Sequence, residues 1–138
     1  MVAAYLVKKP SIKQMKKHLD LAKERVSSAE ILLEKGNYRD AVSRAYYGFF
    51  DAASALLLTE KLVAKTHAGL ITLFGQHFVK QKKIKSKFAV LFRKAKEARE
   101  EANYELYKTF TKEQTQRIVS TAIEFIKEVQ RIIEIQNK

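Results

Sequence analysis

Residues 38–60 read YRDAVSRAYYGFFDAASALLLTE, and the rest of the chain can be interpreted outward from this stretch. Its apolar residues recur at spacings of three and four, which is the period of one face of an α-helix. These residues are Tyr38, Ala41, Val42, Ala45, Tyr46, Phe49, Ala53, Leu56 and Leu57. The stretch therefore predicts a long helix with one apolar face.

On the amino-terminal side, residues 11–35 carry a second stripe at helical spacing. Pro10 and Ser11 mark its start, and Gly36-Asn37 supplies a stop because both residues tolerate the left-handed conformation that ends a helix. A connection this short between two long helices predicts an antiparallel hairpin.

On the carboxyl-terminal side, three further helices are predicted. Thr66 caps a shorter helix through about residue 79, and a fourth helix covers residues 86–104. Thr111 and Gln114 form a capping-box pattern that opens the last helix. No segment alternates as a strand does, so we expect an all-α, up-and-down antiparallel bundle of four long helices plus one shorter helix.

Length and composition narrow the possible classes. The 138 residues suit one domain, which we divide into an N-terminal extension (1–10) and a single helical domain (11–138). There is no Cys, which excludes disulfides, a thiolate nucleophile and Cys-ligated metals. We expect no metal site and no cofactor, because three histidines without paired spacing make a poor ligand set. With no targeting signal and no apolar run long enough to span a bilayer, a soluble, cytoplasmic protein is predicted.

Positive charge is concentrated in one part of the chain. The net charge is +12, yet residues 61–96 contain ten Lys or Arg and no acid. We define the basic patch as Lys80, Lys82, Lys83, Lys85, Lys87, Arg93, Lys94 and Lys96. Such a cluster favours nucleic acid as a partner. A Lys-rich solvated face and a docking surface for an acidic protein remain alternatives.

The helix predicted over residues 38–60 also has a polar side, on which Arg44, Tyr47 and Asp51 recur at three- and four-residue spacing. One interpretation is a helix–helix seam in which Arg44 pairs with an acid on a neighbouring helix. The other is a polar site or a dimer contact at that seam.

Four segments in order resemble one family. They are SRAYYGFFDAA (43–53), KTHAG (65–69), FGQHFVK (74–80) and REEANY (99–104). Together they resemble the HEPN domain family (higher eukaryotes and prokaryotes nucleotide-binding), in its small stand-alone prokaryotic branch, over about residues 11–135. The resemblance implies a helical bundle that forms a homodimer and is encoded beside a small nucleotidyltransferase.

Several members of that family are toxins, ribonucleases with an Arg followed four to six residues later by a His. Here the positions four to six after Arg99 are Asn103, Tyr104 and Glu105, and none of them is His. Asn cannot exchange a proton at physiological pH and Tyr titrates near pH 10, so neither replaces imidazole directly. Our leading hypothesis is therefore a module that binds nucleotide, RNA or a nucleotidyltransferase partner, as part of a toxin–antitoxin-like pair.

The binding residues carried by this hypothesis are Arg44, Tyr47, His67, Arg99, Asn103 and Tyr104. Arg44 and Arg99 would hold phosphate. Tyr47 and Tyr104 would stack on bases or donate hydrogen bonds.

Two other functions remain open. A metal-independent ribonuclease would need a group that transfers a proton and a cation that stabilises the developing charge. His67 and Arg99 are the respective candidates, although the sequence assigns no catalytic residue. His67 either packs at a helix junction or meets Arg99 or Tyr104 from a neighbouring helix. The third possibility is a purely structural interaction module.

Overall fold

The computed structural model describes residues 4–6 and 11–136, and for residues 4–6 it describes the backbone only. This part of the chain is predominantly helical. Its five α-helices are α1 (Ile12–Glu34), α2 (Tyr38–Leu58), α3 (His67–Phe74), α4 (Ser86–Tyr104) and α5 (Lys112–Gln136). The predicted all-α bundle of four long helices and one shorter helix is confirmed. Outside the described residues lie 1–3 and 7–10 of the predicted extension, and 137 and 138 of the predicted domain.

The helix ends form where local sequence predicts them. Ser11 and Thr111 each take part in a reciprocal capping box with the glutamine three residues later. Thr66 accepts a hydrogen bond from the backbone of Gly69 at 2.9 Å and so caps α3. After α1, Gly36 adopts a φ of +78°, the left-handed conformation that glycine favours.

The expectation of no strand is wrong. Strand β1 (Ala4–Leu6) pairs antiparallel with strand β2 (Leu62–Ala64), with Tyr5 opposite Val63. Each strand is three residues long, which is too short to show alternation in a sequence. The side chains of β2 lie against the core, so this ribbon attaches the segment between α2 and α3 to the bundle.

Helix α3 continues without a break into a single π-helical turn, Gly75–Val79. The turn closes with a hydrogen bond from the Lys80 N–H to the Gly75 carbonyl at 2.8 Å. The predicted extent of the third helix, through residue 79, is thus confirmed, while its last turn is wider than α-helical.

Helix α2 lies at the centre of the bundle and packs against α1, α4 and α5. Its apolar stripe is buried as predicted, except that Tyr38 is partly exposed. Phe49 stacks on Phe92 of α4 and on Phe125 of α5, at centroid distances of 5.4 Å each. This aromatic cluster fixes α2 relative to α4, and thereby fixes the side chains that both helices present beside it.

Helices α1 and α2 approach most closely at Gly48. A Cβ atom built there would lie 2.7 Å from Cγ2 of Val26 and 3.6 Å from the carbonyl oxygen of Ala22. Valine is stiff at χ1 in a helix and cannot move aside cheaply. The close packing of the hairpin therefore depends on the absence of a side chain at position 48.

We expect Gly48→Ala to lower the free energy of unfolding by about 1–2 kcal/mol, because overpacking outweighs the gain in helix propensity. Urea denaturation measures the change. Gly75→Ala is the matched control, since a Cβ there meets nothing within 4 Å. A stabilised Gly48→Ala protein would contradict the close approach.

Candidate anion-binding site

Three helices converge on a pair of tyrosines near the middle of α2. Tyr46 and Tyr47 are adjacent on α2, and their rings meet edge to face at 5.3 Å. Helix α3 contributes its first residue, His67, and α4 contributes Arg99. Helix α1 contributes Arg25. Residues far apart in sequence thus form one cluster at the junction of the helices.

Tyr46 is fully buried, and its hydroxyl lies 2.8 Å from Nδ1 of His67. Burial raises the pKa of Tyr46 to about 12, so the hydroxyl keeps its proton at neutral pH. The hydroxyl is therefore able to donate to Nδ1. When it does so, a neutral His67 carries its proton on Nε2.

Burial is the main cause that lowers the pKa of His67, and the positive charges of Arg99 and Lys96 lower it further. At neutral pH the ring is uncharged and presents one N–H donor at Nε2. His67 is partly exposed, so that donor is available to an acceptor from outside.

The guanidinium of Arg99 lies over both tyrosines, with Cζ 5.0 Å from the ring centroid of Tyr46 and 5.7 Å from that of Tyr47. Its Nη1 is 3.4 Å from the Tyr47 hydroxyl, a long hydrogen bond. Its Nε–H is buried and donates to no group within the described residues. Arg99 is thus a cation held in place by aromatic rings, with hydrogen-bonding capacity left unused.

The acid closest in sequence to Arg99 is engaged elsewhere. Glu100 accepts a hydrogen bond from Lys96 at 2.7 Å, and this contact lowers the pKa of Glu100. Glu100 forms its ion pair with Lys96, so the positive charge of Arg99 has no direct carboxylate partner among residues 11–136.

On the other side of the cluster, Nε of Arg25 donates to Oδ2 of Asp51 at 3.2 Å. Asp51 is 8% exposed, and its burial raises the pKa of its carboxyl, against the opposing effect of Arg25. Cζ of Arg25 also lies 5.7 Å from the ring centroid of Tyr47. Tyr47 is therefore in contact with two guanidinium groups, one paired with an acid and one not.

The structure brings together three of the six residues proposed from the sequence. Tyr47, His67 and Arg99 share the cluster, whereas Arg44 is exposed and forms no ion pair with any described residue. Asn103 and Tyr104 are exposed at the end of α4, where Oδ1 of Asn103 lies 3.5 Å from Oγ of Ser43. The ion pair at the predicted seam joins Asp51 to α1, and Arg44 takes no part in it.

Sequence reasoning missed two residues of the cluster. Tyr46 was assigned to the core, and it is in the core, yet its hydroxyl reaches the site. Arg25 was not singled out. The available signal was Asp51, a lone acid within the apolar run of α2, because a buried carboxylate needs a cationic partner.

The basic patch lies on the connector before α4 and along α4 itself. All its members are exposed except Lys96, which is partly buried. Acids from outside residues 61–96 offset part of the charge, since Lys83 pairs with Glu60 and Lys87 pairs with Glu124. The patch is therefore less strongly positive than the sequence alone indicates.

The geometry supports neither a metal site nor a membrane-spanning helix within the described residues. Residues 4–6 and 11–136 contain no group of three His, Asp or Glu side chains placed to hold a metal ion. Within the same residues, no helix is both long and apolar enough to cross a bilayer.

A family model for the HEPN domain matches residues 15–132, from the first turn of α1 almost to the end of α5. The chain belongs to the HEPN domain family. In this HEPN domain, Arg99 from α4 and His67 from the start of α3 both contact Tyr46.

Relatives of this HEPN domain occur in archaea and bacteria. A protein of Methanocaldococcus jannaschii named "Putative toxin MJ0605" is 38% identical over 83% of this chain and 85% of its own length. A second protein of that organism, "Putative toxin MJ0142", is 25% identical over 91% of this chain and 85% of its own. A "UPF0332 protein" of Thermotoga maritima is 29% identical over 82% and 86%.

The lowered pKa of His67 predicts that the stability of the protein depends on pH. In the unfolded chain the imidazole titrates near its ordinary 6.5, so the unfolded state binds a proton first as the pH falls. The stability contributed by neutral His67 is present above pH 6.5 and is lost as the pH falls through 6.5 towards the folded pKa. We expect the free energy of unfolding to fall more steeply between pH 7 and pH 5 in the wild type than in His67→Gln. Urea titrations at a series of pH values measure the two slopes, and parallel slopes would contradict the prediction.

Proposed function

We propose that this HEPN domain is a module that binds RNA or nucleotide phosphate through Arg99, Tyr47 and His67. The observation that carries the proposal is the state of Arg99, a partly buried cation held over two aromatic rings without a carboxylate partner. Arg99 is positioned before any ligand binds, so little conformational freedom is lost on binding.

The neighbouring groups suit a phosphate ligand. Neutral His67 offers its Nε2–H as a hydrogen-bond donor, and Arg99 offers a planar array of N–H donors that matches phosphate oxygens. Half-buried Tyr47 presents a hydroxyl and part of a ring beside them. Arg44, Asn103 and Tyr104 would contact the ligand further from this centre.

The partners follow from the relatives and from the charge. Two relatives carry a toxin name, which favours a toxin–antitoxin-like pair. We propose a small nucleotidyltransferase as the second protein of that pair. We propose that the single helical domain (11–138) acts in the cytoplasm as a homodimer, and that the basic patch draws RNA or an acidic partner surface towards the site. In a purely structural role, Arg99 would serve only to pack against Tyr46 and Tyr47.

A metal-independent ribonuclease is the second candidate, and it is supported by the contacts that both His67 and Arg99 make with Tyr46. Nδ1 of His67 is already engaged by the Tyr46 hydroxyl at 2.8 Å, however. A neutral His67 lacks the extra proton that a general acid gives to a leaving group, and with Nδ1 engaged by Tyr46 it has no free nitrogen to remove a proton from a 2′-hydroxyl. The geometry therefore favours binding over cleavage.

The test of binding uses a fluorescent single-stranded oligoribonucleotide and AMP, at low salt. We expect Arg99→Ala to weaken both interactions at least tenfold, because the charged group at the centre of the site is lost. Arg117→Ala is the matched control, since Arg117 is exposed on α5. Equal binding by wild type and Arg99→Ala would reject the proposed site.

Cleavage is tested in the same samples. The labelled RNA is incubated in EDTA with wild type, Arg99→Ala and His67→Gln, and its length is followed on a gel. Intact RNA in all three samples is the result expected of a binding module. Cleavage by the wild type that both variants abolish would establish the ribonuclease instead.

A further inference from the structure

The cluster contains a second guanidinium that the sequence motifs do not mark. Cζ of Arg25 lies 5.7 Å from the centroid of the Tyr47 ring, the same distance as Cζ of Arg99. Tyr47 is adjacent to Tyr46, whose hydroxyl bonds His67. The cations of α1 and α4 thus meet at one aromatic ring.

The two guanidiniums are held in different ways. Asp51 accepts from Nε of Arg25, which leaves both terminal nitrogens of Arg25 without a hydrogen-bond partner among residues 11–136. The side chain of Arg25 is 37% exposed, so those nitrogens can be reached from solvent. A guanidinium anchored through Nε presents its outer N–H groups in a fixed orientation, a geometry that suits a phosphate.

We infer that Arg25 is a second phosphate-binding residue and that the site takes two consecutive phosphates of a single-stranded RNA, one on Arg99 and the next on Arg25. This inference rests on the proposed function and adds a preference to it. A ligand with one phosphate engages Arg99 alone, whereas a strand engages both arginines across Tyr47. The role of Asp51 is to orient Arg25, at the cost of part of its charge.

The shared chemistry, two phosphates in a row, also occurs in a nucleoside diphosphate. The experiment therefore compares AMP, ADP and a six-residue oligoadenylate, each titrated against the protein by calorimetry or fluorescence anisotropy. Loss of the Arg25 contact should weaken the binding of ADP only if the distance between the two phosphates of ADP matches the distance between the two arginines. An effect on the oligoadenylate alone would identify the ligand as a polynucleotide backbone.

The variants are chosen so that a buried Asp51 is never left unpaired. Asp51→Asn keeps the arginine and removes the acid, and Arg25→Gln/Asp51→Asn removes both charges. We expect oligoadenylate to bind the double variant about tenfold more weakly than it binds Asp51→Asn, with AMP unchanged. The slope of log affinity against log salt should also fall by about 0.7, the value for one phosphate contact on a single strand.

Arg25→Lys is a further variant that keeps the ion pair with Asp51 but lacks the planar donor array, and we expect it to bind oligoadenylate several-fold more weakly than the wild type. Thermal melting confirms that each variant is folded. The inference is overturned if the Asp51→Asn protein and the double variant bind oligoadenylate equally, or if AMP weakens in parallel.

The two proposals fail in distinguishable ways. If Arg99→Ala changes the binding of no ligand, the proposed function itself is wrong. If Arg99→Ala weakens every ligand while the Arg25 variants bind like their controls, the phosphate site stands and only the second contact is rejected.

Discussion

Phe125→Ala is expected to lower the free energy of unfolding by about 3–5 kcal/mol. Phe125 is fully buried on α5, and its ring lies 5.4 Å from the rings of Phe49, Phe74 and Phe88, centroid to centroid. One side chain therefore joins α5 to α2, α3 and α4. Its loss removes apolar contact with three helices and leaves a cavity that rigid neighbouring rings cannot fill.

A loss of that size is a large share of the 5–15 kcal/mol that stabilises a typical domain, so the variant should be close to unfolding at 37 °C. Urea denaturation followed by circular dichroism measures it. The control is Tyr107→Ala, an aromatic residue 91% exposed in the loop after α4, for which we expect a change within about 0.5 kcal/mol. Similar values for the two variants would show that the cluster is not the main source of stability.

Arg39→Ala is expected to cost about 2–3 kcal/mol and to loosen the loop between α4 and α5. Arg39 lies in the first turn of α2, and its guanidinium donates to four backbone carbonyls. The acceptors are the oxygens of Ala102, Glu105, Leu106 and Lys108. The carbonyls at a helix end have no partner within the helix, and here one side chain supplies it.

Hydrogen exchange gives the most direct measurement of this effect. Amides of residues 103–110 should exchange faster in Arg39→Ala, while those of α1 and α2 keep their protection. Arg44→Ala is the matched control, because Arg44 is an exposed arginine on the same helix. We expect Arg39→Lys to fall between the wild type and Arg39→Ala, since one ammonium cannot reach four acceptors at once. Unchanged exchange in the loop would mean that other contacts hold it.

Much of the fold can be predicted from the sequence because helix caps are local. The hydroxyl of Ser11, Thr66 or Thr111 bonds a backbone group three residues away, and a pattern of four residues contains both partners. The apolar stripes are equally local, since burial follows the period of the helix. Neither kind of pattern contains information about which helices meet.

The site depends on contacts between different helices. Arg25 and Asp51 are 26 residues apart, and Arg99 and Tyr47 are 52 apart, so only the packing of α1 and α4 on α2 brings these pairs together. The helical spacing of α2 predicts that Tyr46 lies in the core. It does not predict the contact of the Tyr46 hydroxyl with His67, because that contact depends on how α3 packs against α2. Whether Arg44 pairs with an acid likewise depends on which neighbouring helix this side of α2 faces, and the sequence does not give that orientation.

The β1–β2 ribbon has a practical consequence for the protein as a reagent. The matched HEPN segment starts at residue 15, so a version shortened to that segment would lack β1 while keeping most of each helix. Strand β2 ends at Ala64, three residues before His67, and its pairing with β1 steadies the approach to the imidazole. A trimmed protein could therefore show normal helical circular dichroism and still hold His67 less firmly, so helix content is a poor quality check for binding assays on this chain.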